Sequence, residues 1–111
     1  MAADEFVVRD NSEELRYEIL RGGELLGFIR YRAWPGVVVL VHTEVAHEAE
    51  GHGVGSALVA GALEDIRTRG LRLIPRCPFV LAYLERHPEQ RDLIDSERSD
   101  AVAAGARRER Q

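Results

Sequence analysis

A glycine-rich segment, EGHGVGS at residues 50–56, lies between an apolar run and an amphipathic run. The preceding run, VVVLV at residues 37–41, is apolar at every position, which is typical of a central strand buried on both faces. The apolar residues that follow the segment recur at helical spacing: Val54, Leu58, Val59, Ala62, Leu63 and Ile66. Glycines at the beginning of a helix let a ligand approach the backbone, and the unpaired N–H groups there attract an anion. The segment therefore predicts a binding site for a phosphate or a pyrophosphate.

Two common phosphate-binding motifs are excluded by the residues present. A P-loop needs a lysine after its last glycine, but all 15 Lys and Arg residues of this sequence are arginines. A dinucleotide-binding fingerprint has the form G-x-G-x-x-G, whereas Gly51 and Gly53 are followed by Ser56, and 111 residues are too few for a doubly wound sheet. A third arrangement is the loop of acyl-coenzyme A binding proteins, in which antiparallel strands lead to a central strand, the loop and a helix, and the order of segments in this chain is compatible with it.

The rest of the chain predicts one α/β domain with a mixed sheet of about five strands and two main helices. The helix after the glycine loop and a strand at residues 71–74 form a β-α-β unit, which implies that two strands pair in parallel. Further strands are expected in FVVRD, ELRYEIL and LLGFIRYRAW. A second helix begins at Pro78, with an apolar face made of Phe79, Val80, Tyr83 and Leu84. We expect the domain to span residues 1–95, and residues 96–111 to be a charged tail that is disordered or a frayed helix.

Composition excludes several classes of protein. The net charge of −4 argues against nucleic-acid binding, and no apolar stretch is long enough to span a membrane. The N-terminal MAADEF lacks the apolar region of a secretory signal, and a single cysteine excludes an internal disulfide, so a cytoplasmic protein is expected. His42, His47 and His52 recur every five residues, a spacing that fits neither a strand face nor a helix face, so no metal site is predicted.

Three segments in this order resemble one family: HTEV, GHGVGSALVAGAL and RGLRLIPRCPFVLAYLERHPE. They are similar to the GNAT superfamily of acetyl-CoA-dependent N-acetyltransferases, and in particular to a small single-domain subfamily. Gly53 and Gly55 match the glycines of the superfamily signature Q/R-x-x-G-x-G/A, whereas Glu50 replaces its Gln or Arg. The resemblance covers roughly residues 6 to 95. It implies a GNAT-like fold, acetyl-CoA as the co-substrate, and a primary amine of a small molecule or a peptide as the acceptor.

The resemblance also implies where the coenzyme would bind. In that family the pantetheine arm pairs like a strand with the end of the fourth strand, which corresponds here to the backbone around Thr43 and Val45. The pyrophosphate is held by loop N–H groups, which here are those of Gly51, His52, Gly53, Val54, Gly55 and Ser56. An acidic side chain beside a pyrophosphate is unfavourable unless it points away, so we expect Glu50 to lower the affinity for the coenzyme unless its side chain is directed elsewhere. The backbone donors do not depend on that side chain.

Cys77 is the first candidate for chemistry, because the resemblance places it close to the acetyl thioester. It precedes Pro78, so it is expected at the positive end of a helix and next to Arg76, where a thiolate is favoured. A thiolate there could accept the acetyl group and pass it to the amine. The alternative is that Cys77 is a small buried apolar residue, as free cysteines often are.

His42 and Glu44 are two residues apart on a predicted strand, so their side chains share a face. His42 could act as a base towards Cys77, or Glu44 could deprotonate an incoming ammonium group. The alternative for each residue is a local hydrogen bond at the end of the strand. Tyr83 could be the general acid that some family members use, although its place on the apolar helix face favours core packing.

Three functions remain open from the sequence. The first is acetyl transfer to a primary amine, either directly from the coenzyme or through Cys77. The second is a catalytically weak binding or sensor module for acyl-CoA that acts through a partner or as a homodimer. The short sequence favours this second function, because it is expected to lack the extra N-terminal helices that shape the acceptor site in larger family members. The third is a binder of nucleotide phosphates unrelated to coenzyme A, which competition between coenzyme A and ATP would distinguish.

Overall fold

The computed structural model describes residues 5–99, which form a five-stranded sheet with two main helices packed on it. The strands are β1 (Phe6–Asn11), β2 (Arg16–Arg21), β3 (Glu24–Trp34), β4 (Val37–Val45) and β5 (Arg72–Pro75). The helices are α1 (Val54–Thr68) and α2 (Pro78–Arg86), with short 3-10 helices at His47–Ala49 and Pro88–Leu93. The strands pair in chain order; β1 to β4 are antiparallel, and β5 is parallel to β4. The predicted mixed α/β sheet with two main helices is confirmed.

β4 is the strand on which the site depends, because its two edges are paired to different extents. β3 pairs with β4 along its whole length, from Val37 to Val45. β5 pairs with β4 only from Val37 to Leu40. The two residues that follow β5 are also hydrogen-bonded to the end of this paired segment, since the N–H groups of Arg76 and Cys77 donate to the Leu40 carbonyl oxygen at 2.9 and 3.0 Å. β4 and β5 therefore separate after Leu40 and leave the end of β4 with a strand partner on one edge.

A β-bulge in β4 coincides with this separation. In the β3–β4 ladder Tyr31 faces Leu40, while the preceding residue of β3, Arg30, faces His42. Val41 is therefore the extra residue of the bulge. Because a shift of one residue moves later side chains to the opposite face of a sheet, the bulge decides which side chains of the end of β4 point towards the helices.

The sheet has two faces with different surroundings. The helical face, against which α1 and α2 pack, carries buried residues such as Tyr17, Ile29 and Leu40. The second face carries the alternate residues of the same strands, among them Glu18 and Phe28. Residues 37–40 are buried throughout, which confirms for these positions the predicted central strand buried on both faces.

Buried tyrosine hydroxyl groups fasten the C-terminal end of α1 to the sheet. Tyr17 Oη donates to Asp65 of α1 at 2.7 Å, and Tyr31 Oη donates to Asp10 of β1 at 2.6 Å. Arg69 forms ion pairs of 3.1 Å with both carboxylates. Burial first, and the neighbouring carboxylates second, raise the pKa of both tyrosines, so the hydroxyl groups stay protonated as donors. This network joins the C-terminal end of α1 to the sheet, and the other end of α1 begins at the glycine loop.

The predicted domain boundary at residue 95 stays a prediction. Residues 96–99 are helical, and residues 100–111 of the predicted tail lie outside the described residues. Within residues 5–99, no helix is both long and apolar enough to cross a membrane. The expected cytoplasmic location is not tested by this finding and remains a prediction.

Glu18 is a carboxylate on the second face that is only 2% exposed. It accepts hydrogen bonds from Arg9 Nε at 3.0 Å, Asn11 Nδ2 at 3.0 Å and Arg16 Nε at 2.7 Å. Burial disfavours its ionised form, but these hydrogen bonds outweigh burial and hold the pKa of Glu18 below its ordinary value. The carboxylate is therefore ionised at neutral pH and balances the charges of two arginines.

We expect Glu18→Gln to lower the free energy of unfolding at neutral pH by about 1–3 kcal/mol, because a neutral amide oxygen cannot replace a carboxylate that accepts from three groups. The folded-state pKa of Glu18 is lowered, so its contribution is present above the unfolded-state pKa and is lost as the pH falls through the folded-state pKa. Urea unfolding should therefore show a difference that shrinks below about pH 4. The exposed Glu24→Gln serves as the control, and a difference independent of pH would contradict the assignment.

Candidate functional site

The glycine loop, residues 50–56, adopts backbone conformations that glycine takes most readily. Gly51 has a φ of 81°, and Gly53, the N-cap of α1, has a φ of 76°. A Cβ atom at either position would meet nothing within 4 Å, so glycine is required there for conformation and not for space. Gly55 differs, because a Cβ atom there would overlap the ring of Phe79 in α2. The glycines thus turn the chain into α1 and let α2 pack against its first turn.

A cleft of about 450 Å³ lies between this loop, the end of β4 and α2. It is lined by Thr43, Val45, Ala49, Glu50, Gly51, Gly53, Val54, Gly55, Ser56, Phe79 and Arg86. All the predicted coenzyme-binding residues except His52 are therefore brought together at one surface. His52 lines a neighbouring cleft of about 450 Å³ with Arg21 and Glu24.

Glu50 and Arg86 are the charged residues that line the cleft. Glu50 Oε2 lies 3.7 Å from His47 Nδ1, so its carboxylate is directed back towards the preceding 3-10 helix. Arg86 is exposed at the C-terminal end of α2 and forms no ion pair with any residue in the 5–99 range. An anion in the cleft would therefore meet loop N–H groups and one guanidinium group.

Phe79 and Arg86 are cleft residues that the sequence analysis misses. The sequence pattern puts Phe79 on the core face of α2 with Tyr83 and Leu84, but Phe79 is 39% exposed and lines the cleft. Its ring packs over Gly55, outside the core. The spacing of seven residues, which places Phe79 and Arg86 on one face of a helix, is the signal that could have identified them as a pair.

Cys77 is the N-cap residue of α2, as predicted from Pro78, and lies where β4 and β5 separate. Its side chain is only 2% exposed. Cys77 Sγ lies 3.1 Å from Thr43 Oγ1, and Thr43 is part of the cleft wall. The thiol is therefore placed behind Thr43, and a hydrogen bond joins the two side chains.

His42 and Glu44 lie on the opposite face of the sheet from Thr43. The two side chains share the second face, where His42 Nε2 is 3.1 Å from Glu44 Oε2, and they are 57% and 60% exposed. Because the bulge at Val41 puts Thr43 on the helical face, it is Thr43, and not His42, that contacts Cys77. The catalytic roles of His42, Glu44 and Cys77 stay predictions. His42 and Glu44 lie on the second face of the sheet, however, whereas Cys77 lies on the helical face.

Tyr83 is buried in the core and stacks on His87, with ring centroids 4.2 Å apart. Burial, followed by the charge of Glu89, raises its pKa. It does not line the cleft, so its position agrees with the core-packing alternative. Among the residues that the structure describes, no three His, Cys, Asp or Glu side chains are grouped to hold a metal ion.

We expect Gly53→Ala to lower the free energy of unfolding by about 1–3 kcal/mol, because alanine would be strained at a φ of 76°. Gly53→Asn is the matched variant, since asparagine tolerates the left-handed region and its side chain can cap a helix. Thermal and urea unfolding should rank stability as glycine first, asparagine second and alanine third. Equal stability of all three proteins would show that the left-handed conformation at this N-cap is not required.

Comparison with known proteins agrees with this arrangement. Residues 16–93 match the sequence model of a family described as GCN5-related N-acetyl-transferase. The fold is similar to the NMR solution structure of a GCN5-like protein from Staphylococcus aureus, with 27% sequence identity, a TM-score of 0.60, and coverage of 85% of this chain and 90% of that chain. No curated protein matches the sequence. The predicted GNAT-like fold is confirmed by these findings.

Proposed function

The chain belongs to the GCN5-related N-acetyltransferase family, and on that premise we propose that it transfers an acetyl group from acetyl-CoA to a primary amine of a small molecule or a peptide. One observation carries the proposal: the glycine-loop cleft lies along the part of β4 that β5 does not cover. An extended arm with amide groups can pair with such a strand edge, as a peptide does in β-strand addition. The same ligand can then reach the N–H groups at the beginning of α1.

The residues of the cleft suit the parts of coenzyme A in turn. The edge of β4 between Thr43 and Val45 suits the pantetheine amides, and the loop with its left-handed Gly51 and Gly53 suits the pyrophosphate. Arg86 adds a positive charge to a cleft in which Glu50 replaces the family's usual Gln or Arg. When bound, acetyl-CoA supplies the acetyl thioester that the reaction consumes.

A base is needed because an ammonium group must lose a proton before its nitrogen can attack the thioester carbon. Glu44 is exposed at the end of β4 and hydrogen-bonded to His42, so it is suited to accept that proton directly or through water. The C–N bond then forms as the C–S bond breaks, and the second proton that the nitrogen loses passes to the departing sulfur. These steps balance without a metal ion or a redox group.

The position of Cys77 favours direct transfer to the amine over a covalent route. The thiol is buried behind Thr43 and is not part of the cleft wall, so an acetyl group would have to pass Thr43 to reach it. In this proposal Cys77 holds the Thr43 hydroxyl in place beside the cleft. The covalent route, in which Cys77 Sγ is acetylated first, is the competing mechanism.

Binding of the coenzyme is tested by thermal unfolding with acetyl-CoA, with ATP as the control ligand. We expect acetyl-CoA at a hundredfold excess over its dissociation constant to add about 2.7 kcal/mol of stability, and ATP to have a much smaller effect. Arg86→Gln should weaken acetyl-CoA binding, whereas Arg91→Gln, an exposed arginine outside the cleft, should not. A folded protein with no response to acetyl-CoA would refute the coenzyme assignment, and an equal response to ATP would favour a nucleotide-phosphate binder.

The route of transfer is tested with Cys77→Ala and Cys77→Ser. We expect both variants to retain most of kcat after allowance for any loss of stability, because the thiol is not on the path of direct transfer. Mass spectrometry after incubation with acetyl-CoA should find no acetylated Cys77; with no lysine in the sequence, any protein adduct is confined to this thiol, the N-terminus or a hydroxyl group. Loss of kcat in both variants together with acetylated Cys77 in the wild type would establish the covalent route instead.

The alternative proposal is a catalytically weak acyl-CoA-binding module that acts through a partner. Such a module would bind acyl-CoA in the same cleft as the proposed enzyme, and it would differ only in not transferring the acetyl group. Stabilisation by acetyl-CoA with no acetylation across a broad amine panel would favour it over the enzyme. The amine acceptor is a proposal that these experiments address, and the expected homodimer stays a prediction.

A further inference from the structure

The second face of the sheet carries exposed side chains directly beside the point where β4 and β5 separate. His42 and Glu44 project there, whereas Thr43 between them projects to the helical face, where the coenzyme cleft lies. If the pantetheine arm lies along the uncovered edge of β4, as proposed, its thioester end lies where the strands separate, and a second substrate can approach it from the second face. Under the proposed function, the acceptor passes His42 and Glu44 on its way to the reaction centre.

β3 presents Arg30 and Phe28 to the same area of the second face. Arg30 is the cross-strand partner of His42, and Phe28 is the partner of Glu44. Side chains of such partners lie about 5 Å apart on one face of a sheet. The guanidinium group of Arg30 lies over the Phe28 ring, 5.4 Å from its centroid. A carboxylate and a guanidinium group thus lie on one face, within reach of one small molecule.

Glu44 and Arg30 do not form an ion pair with each other. Glu44 is hydrogen-bonded to His42, and no ion pair with another residue of the 5–99 segment involves Arg30. Arg16 also lies over the Phe28 ring, at 4.7 Å, but its Nε donates to Glu18 at 2.7 Å. Arg30 is therefore an exposed guanidinium group beside Glu44 that forms no ion pair with a carboxylate of residues 5–99.

We infer that this area, made by Phe28, Arg30, His42 and Glu44, binds the acceptor, and that the acceptor is a primary amine which also carries an anionic group. Glu44 attracts the ammonium end of such a molecule, and Arg30 binds its carboxylate or phosphate through charge-assisted hydrogen bonds. A neutral amine of the same size leaves Arg30 without a partner and loses that contribution. The inference rests on the proposed acetyl transfer and adds the chemical class of the acceptor.

Matched pairs of amines test the inference with the purified full-length protein and saturating acetyl-CoA. Propylamine against β-alanine isolates the carboxylate, and ethanolamine against O-phosphoethanolamine isolates the phosphate. We expect the anionic member of at least one pair to have a kcat/KM about tenfold higher than its neutral counterpart, and the pair that shows it identifies the anion. Equal kcat/KM values within both pairs would overturn the inference.

Arg30→Gln and Arg32→Gln provide the matched variants. Both arginines lie on the second face of β3, but Arg32 pairs with Val39, before the point where β4 and β5 separate. We expect Arg30→Gln to raise KM for the preferred anionic amine about tenfold, and the difference in kcat/KM between the anionic and the neutral amine to be lost. Arg32→Gln should leave all these values unchanged. A preference for the anionic amine that survives in Arg30→Gln would overturn the role of Arg30.

Failure of this inference is distinguishable from failure of the proposed function. Acetylation of the neutral amines without any preference for an anionic one would refute the inference and leave acetyl transfer intact. A protein that is stabilised by acetyl-CoA but acetylates none of the four amines would contradict this acceptor class, while its coenzyme site would stand. A protein that neither binds acetyl-CoA nor acetylates any amine would contradict both proposals.

Discussion

The separation of β4 from β5 is the constraint on which the rest of the site depends. Parallel pairing ends at Leu40, whose carbonyl oxygen accepts hydrogen bonds from both Arg76 and Cys77. The bulge at Val41 lies at the same point, so β4 continues beside β3 alone. One unpaired strand edge, the beginning of α2 and the exit into the glycine loop are thereby gathered at one place.

The same bulge divides the polar residues of β4 between two faces of the sheet. Without the extra residue, His42 and Glu44 would follow Leu40 onto the helical face, and Thr43 would face away from Cys77. An ionisable pair would then take the partly buried places of Thr43 and Val45 beside the cleft, where loss of hydration disfavours charge. With the bulge, Thr43 borders the cleft and the pair stays exposed. The proposed coenzyme side and the proposed acceptor side of the site are therefore separated by the thickness of one strand.

Charge is distributed locally in a way that the net charge of −4 conceals. On the second face, Glu18 balances Arg9 and Arg16, which leaves Arg30 next to Glu44 as a pair of separated opposite charges. In the cleft, the carboxylate of Glu50 is directed towards His47, and Arg86 approaches from α2. Recognition of both proposed substrates depends on these local arrangements and on backbone N–H groups.

Several features could be read from the sequence because they depend on neighbouring residues. The apolar periodicity predicted the central strand and α1, the glycine-rich segment predicted a loop before α1, and Pro78 predicted the beginning of α2 behind Cys77. The position of Phe79 and Arg86 in the cleft was not predicted from the sequence. It depends on how α2 packs across Gly55, a contact between segments that are far apart in the sequence.

The sequence by itself determined the order of the elements, the mixed sheet and the glycine loop before α1, because hydrophobic periodicity and backbone sterics act over a few residues. Only the tertiary structure decided that Thr43, and not His42, contacts Cys77, and that Arg86 shares a cleft with the glycine loop. The physical reason is strand register: the hydrogen-bonded pairing of β3 with β4 places the bulge at Val41, and no local pattern in the chain specifies it.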